Sequence, residues 1–358
     1  MRKGFADLPL HHGKAPPWLF KRMVELSRNI VELVVLEHGR DAFLERVADP
    51  YWFQSFGCVL GFDWHSSGLT TTVCGALKES LRYIGKDLGL FVVGGKGKSA
   101  LRTPEELDRL GEIVGTDTEG LKEISRVVAK VDNTLLQDGY QLYHHTLIFT
   151  EDGSWAVVQQ GLNAENRYAR RYHWLGDRVN NLVEEPHSGI SAQKVHERII
   201  LNMVSRESRG SRRSITELIR DREFLLRELE KMESLKMPSR HYIKGEDLNL
   251  RKLRDTVKKI DAGSVKGFED LLKQRGIGPK TIKALTLVSE LIYGEKPSFK
   301  DPARYTFAHG GKDGHPFPVQ REVYDATIDT LKRAISKAKI GEREKVDALK
   351  RLSRILNH

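Results

Sequence analysis

The chain has 358 residues, 39% of them hydrophobic and 30% charged, the balance of a soluble globular protein long enough for two cores. No apolar run approaches the roughly 18–20 residues that span a bilayer, and the N-terminal MRKGFADLPLHHGKAPPWLF lacks the apolar h-region of a signal peptide. Cys58 and Cys74 are the only cysteines, so no disulfide framework or thiolate zinc site is expected, and a reducing cytoplasm is the natural compartment.

The net charge of +10 is unevenly spread. Residues 1–195 carry 23 Lys/Arg against 25 Asp/Glu, and residues 196–358 carry 36 against 24. All of the excess positive charge lies in the second half. Such asymmetry points to a polyanionic partner, most simply a phosphate backbone. The plainer alternative is a Lys-rich solvated helical surface.

In chain order, Pro17 begins a helical stretch, WLFKRMVELSRNIVELVVLEHG, that stops at Gly39. Cys58–Asp63 (CVLGFD) and Leu69–Ala76 (LTTTVCGA) read as two strands around the tight loop WHSSG. The apolar run Phe91–Val93 leads into GGKGKS, an anion-binding nest by composition. It lacks the spacing of a nucleotide P-loop, so no nucleotide cofactor is expected. Helices follow at 104–115 and 119–131. Tyr140–Thr150 and Ser154–Gln160 alternate strongly and form a hairpin about EDG. The segment 161–195 is irregular. It contains NAENRYARRYHW, whose Arg167, Arg170 and Arg171 either draw DNA toward the first half or cap a solvated helix, and EEPHSG.

From residue 196 the patterns are helical, at 196–208, 213–235, 249–260, 265–275, 279–293, 319–337 and 341–356. The expected architecture is an α+β domain with short antiparallel strands over 1–195 and a basic all-α domain over 196–358.

Within LLKQRGIGPKTIKALTLVSELIYG, Phe268–Gln274 ends one helix and Pro279 opens the next. Gly276-Ile277-Gly278 makes the turn between them, with Ile277 tucked between the helices. Glycines there expose backbone N–H groups beside a helix N-terminus, which can hold a phosphate oxygen without base contacts. The pattern resembles the helix-hairpin-helix of base-excision glycosylases, DNA polymerases and structure-specific nucleases; Ile282 replaces the small residue often found there. This resemblance implies phosphate contacts from Gly276, Ile277 and Gly278, supplemented by Lys273, Arg275, Lys280 and Lys283. An ordinary αα-hairpin remains the alternative. In glycosylases with lyase activity a lysine of the second helix is the nucleophile, assisted by an aspartate about 18 residues later. Lys280 matches that lysine, whereas Asp301 lies 21 residues downstream. The loop that follows crowds His309, Lys312, Asp313 and His315 among glycines, a candidate site in which Lys312 contacts DNA.

In the first half, Asp63 closes an apolar stretch and is followed by His65 in the loop. An aspartate so placed is either a metal-binding carboxylate or an Asx-turn residue. A second cluster offers Asp132, Asp138, His144, His145, Asp152 and Gln159, with the two histidines on opposite faces of a strand. Asp63, Asp138 and Asp152 are the candidate Mg²⁺ or Mn²⁺ ligands of a phosphodiesterase, with Asp63, His65, Asp138, His144 and Asp152 as its catalytic set. The layout is similar to restriction-type nuclease cores, without their E-x-K step. His11 and His12 are adjacent, a poor chelate.

Together, ADLPLHHGKAPPWLFKRM, GFDWHSSGLTT, VVGGKGK, DGYQLYHHTLIFTEDGSWAVVQQGLN and FAHGGKDGHPFPV resemble the family catalogued as domain of unknown function 763, which occurs in archaea and some bacteria, many thermophilic. That resemblance implies no mechanism. The residues themselves favour a DNA-processing enzyme, a metal-dependent nuclease of repair or recombination acting on duplex or branched DNA. A glycosylase/lyase using Lys280 and a non-enzymatic DNA-binding protein are the alternatives.

Overall fold

The computed structural model describes residues 15–62, 67–165, 168–192, 200–232, 249–303, 321–338 and 340–356. Four helices open it: α1 (Pro17–His38), α2 (Arg40–Ala48), α3 (Pro50–Val59) and α4 (Gly68–Leu88). The two strands expected at Cys58–Asp63 and Leu69–Ala76 are not formed: Cys58 and Val59 finish α3, and Leu69–Ala76 is the first half of α4. In α3 the side chain of Asp49 accepts from Trp52 N at 2.7 Å and Pro50 stands at the first helical position, a start signal that sets the helix. The TTTV run of α4 has strand propensity. Burial nevertheless recurs at Leu69, Thr70, Val73, Cys74, Leu77 and Leu81, and the helix stops at Gly89 with φ of 59°. That 3.6-residue period outweighs local β preference. Both cysteines are therefore buried on helices and free.

β1 (Leu90–Lys96) is followed by α5 (Lys98–Leu101), α6 (Thr103–Val114), α7 (Glu119–Thr134) and the short β2 (Leu136–Gln137). Then β3 (Gln141–Thr150) and β4 (Trp155–Leu162) form the expected hairpin, with Gly153 at φ of 94° in its turn. The segment read as irregular holds two more strands, β5 (Ala169–Leu175) and β6 (Gly189–Ser191). The sheet is an antiparallel meander in the order β1-β3-β4-β5-β6, while β7 (Leu201–Asn202) pairs with β2. The rest is helical: α8 (Arg209–Arg220), α9 (Arg222–Met232), α10 (Leu250–Lys259), α11 (Phe268–Lys273), α12 (Pro279–Tyr293), α13 (Arg321–Lys337) and α14 (Glu342–Leu356).

Both faces of the sheet are covered. Val92, Ile148, Ala156, Val158 and Leu175 point to one face and share a core with α1–α4, α13 and α14. Val93, Leu147, Phe149, Val157 and Trp174 point to the other and share a core with α7 and α8–α12. This second core draws on residues from both halves of the sequence. Among the described residues no helix is long and apolar enough to cross a membrane.

Candidate nucleic-acid interface

α11 ends at Lys273, and Gln274 leaves the helix at φ −63°, ψ 148°. Gly276 then takes φ of +86°, which favours glycine. Gly278 stands before α12 at φ −143°, ψ −174°, extended backbone open to any residue, and Pro279 supplies the first helical position. Thr281 Oγ1 donates to the Gly276 carbonyl at 2.9 Å and closes the turn. Ile277 is buried with Leu271, Leu272, Ile282 and Leu285 in one core. No side chain caps α12, so the N–H groups of Lys280 and Thr281 in its first turn lack a capping acceptor.

Arg275 and Lys280 are exposed beside the turn, and Lys283 is half-buried. α10 flanks it closely: a Cβ built on Gly276 would lie 3.1 Å from Thr256 Cγ2. Lys252 and Lys259, four residues before and three after Thr256, are exposed on the same helical stripe. Lys273 is instead engaged by Glu123 and Glu269. Asp301 does not sit with Lys280 as a lyase pair would require. Its Oδ2 takes Arg170 Nη2 at 2.7 Å, with the aspartate side chain 1% exposed. Lys312 and Asp313 lie outside the described residues.

The aspartates expected to share a metal are far apart. Asp138 precedes β3 and Asp152 follows it, and that ten-residue strand separates them by about 30 Å. Asp138 is buried; its Oδ2 receives Arg170 Nη1 at 2.9 Å and the Tyr172 hydroxyl at 2.8 Å, and its Oδ1 receives Tyr140 N at 3.0 Å. Burial works against the Arg170 charge, but Asp138 and Asp301 outweigh it and hold the guanidinium ionised. Asp152 is exposed in the β3–β4 turn, where Thr150 Oγ1 donates to it and Arg40 lies 3.8 Å away. The bond from Thr150, with Arg40 nearby, lowers its pKa. Asp63 and His65 lie outside the described residues. Among the described residues no group of three His, Cys, Asp or Glu side chains is arranged to hold a metal ion.

His144 and His145 do face opposite sides of the sheet. His145 sits between Ser125 Oγ at 2.8 Å and Gln159 Oε1 at 2.8 Å. His144 Nε2 meets Thr146 Oγ1 at 2.9 Å, while its Nδ1 has no partner. Burial pushes the His144 pKa down to about 3, so its ring is neutral. Gln159 and Gln160, near the place of a nuclease E-x-K step, also diverge: Gln159 donates to Asp132 at 2.5 Å and Gln160 to the Ser67 carbonyl at 2.9 Å.

Two basic features expected to meet an external anion are turned inward. Arg170 and Arg171 are fully buried; Arg171 donates to His173 Nε2 at 2.8 Å, Gln54 Oε1 at 3.0 Å and the Pro50 carbonyl at 3.2 Å. The GGKGKS nest holds the chain's own carboxylate. Gly94 N donates to Glu106 Oε2 at 2.8 Å, and Lys78 pairs with the same oxygen at 2.6 Å. Sequence reasoning missed His187 of EEPHSG, which meets Asp132 at 2.5 Å. The 55-residue separation of that pair leaves no local signal.

No curated protein and no solved structure matches the chain. A family profile does, described as protein of unknown function (DUF763) and matching residues 4–319, so the chain belongs to that family.

Proposed function

We propose that this protein binds DNA through the turn Gln274–Gly278 and the start of α12, acting as a helix-hairpin-helix that grips the phosphate backbone of duplex or branched DNA. One observation carries the reading: α12 begins without a side-chain cap beside exposed Arg275 and Lys280, and α10, which carries exposed Lys252 and Lys259, approaches the turn at Gly276. Amides and helix dipole favour an anion, and flexible cations add affinity without reading base sequence. The division of charge along the chain agrees with this placement.

Fluorescence anisotropy of a labelled duplex tests it. The logarithm of affinity should fall linearly with the logarithm of salt concentration, and neutralising Arg275 and Lys280 should reduce the slope by about one unit each. Binding that ignores salt, or an Arg275→Gln/Lys280→Gln variant that binds like the parent, would remove the turn from the interface.

A further inference from the structure

We propose that the DNA interface is shared between the two halves of the sequence: α7 seats the hairpin turn through Lys130, with Gln137 of β2 beside it, and adds a phosphate contact of its own at Arg126. This footprint rests on the DNA-binding reading of the turn and carries it onto a helix outside residues 196–358.

The stretch from α7 into β2 touches the hairpin in step. Glu123, in the first half of α7, engages Lys273, the last residue of α11. Lys130 Nζ donates at 3.0 Å to the carbonyl of Gln274, where the chain leaves α11. Gln137 Nε2 donates at 2.8 Å to the carbonyl of Pro279, the first residue of α12. Side chains of the first half therefore tie down the turn on both sides of Arg275–Gly278. The Gln274 carbonyl is also the turn's own acceptor, since it takes the Ile277 N–H at 3.4 Å. Without Lys130 that long bond would hold it alone. A turn that presents amides to phosphate depends on such outside support, because a ligand contact loosened by a fraction of an ångström is weakened. Lys130 is half-buried, burial lowers its pKa, and among the described residues no carboxylate pairs with it.

Arg126 lies among these contacts, three residues after Glu123 and four before Lys130, on the stripe of α7 that meets the hairpin. It is exposed and makes no ion pair among the described residues. The carboxylates of α7 are committed elsewhere: Glu119 to Lys122, Glu123 to Lys273, and buried Asp132 to His187, Gln159 and Trp174. Four helical residues rise about 6 Å, and phosphates of one DNA strand repeat about every 3.4 Å of duplex axis. A strand anchored at the turn and running along α7 thus passes about two further phosphates before it meets Arg126. Arg126 is the phosphate contact; Lys130 and Gln137 are positioning residues.

Fluorescence anisotropy of a labelled duplex with the full chain, over a range of salt concentrations, tests each part. Arg126→Gln should reduce the slope of log affinity against log salt by about one unit. Lys86→Gln, on α4 across the sheet, should keep the parental slope. Gln137→Ala changes no charge, so it should weaken binding about fivefold at the parental slope. Lys130→Met should weaken binding by at least as much, and Lys130→Arg, which keeps a donor and a charge, should recover most of the loss. A parental slope in Arg126→Gln would overturn the α7 contact, and parental affinity in both Lys130→Met and Gln137→Ala would overturn the seating. If Arg126→Gln lowers the slope while Arg275→Gln/Lys280→Gln binds like the parent, the hairpin reading fails and the α7 contact survives it. A parent that binds no duplex overturns both.

Discussion

Asp138→Ala separates a metal ligand from an internal ion pair. The substitution takes the acceptor from Arg170 Nη1, the Tyr172 hydroxyl and Tyr140 N–H together. Arg170 would keep Asp301, but its Nε already lacks a partner and the residue is 0% exposed. Removing one member of a buried pair costs about 3–5 kcal/mol, because the remaining charge stays desolvated. The stranded Tyr172 hydroxyl alone accounts for about 1–3 kcal/mol in such settings. Guanidinium unfolding of Asp138→Ala, Asp301→Ala and the double variant would measure this, and the two single losses should sum to more than the double loss. A dedicated metal carboxylate behaves otherwise: its removal leaves the metal-free protein as stable or more stable and abolishes metal binding. An Asp138→Ala protein within about 1 kcal/mol of the parent would refute the ion-pair account.

Glycine substitutions in the hairpin should divide by cause. Gly276→Ala, at φ +86°, should lose about 1–2 kcal/mol of stability by thermal or chemical unfolding. Gly278→Ala meets nothing within 4 Å, so it should unfold like the parent yet weaken DNA binding about tenfold by crowding the amides; unchanged affinity would move the phosphate elsewhere. Acid lability should be steep. Burial lowers the pKa values of His144, His145 and His173 from 6.5, so their contribution is complete above pH ~6.5 and is lost as pH falls toward 3. The unfolded chain binds the extra protons there, giving a slope of up to about 4 kcal/mol per pH unit for three sites. A flat stability profile between pH 6 and 4 would contradict neutral buried rings.

The elements legible in the sequence were those whose pattern runs long enough to outvote local preference. α12 and the β3–β4 hairpin fall where their periodicities and turn residues place them. One misread segment is α4, where TTTV supplies four β-branched residues at the helix start while the decisive apolar stripe extends to Leu81; another is 196–208, expected as a helix, whose described residues hold β7 and a 3-10 turn at Arg206–Ser208. β5 was hidden because ARRYHWL looks polar. Its arginines are buried only because acceptors arrive from Gln54 and Pro50, more than 100 residues earlier, and Asp301, 131 residues later. The Asp132–His187 pair has the same character, two ordinary residues joined only by the sheet between them.

Net charge misleads about where an anion can bind, and the reason is visible at three basic segments. Arg170 and Arg171 contribute two positive charges that no phosphate can approach. Gly94–Ser99 has the glycines of a nest, but Glu106 and Lys78 fill it. Lys273 stands within the hairpin yet answers to Glu123 and Glu269. On α10 and about the turn at Gly276 and Gly278, in contrast, Lys252, Lys259, Arg275 and Lys280 make no ion pair among the described residues, and α12 has no side-chain cap. On the proposed DNA reading, affinity depends on the coincidence of unpaired charge with uncapped amides rather than on the sum over 196–358, so charge reversal at Lys259 should weaken binding more than reversal at Lys273.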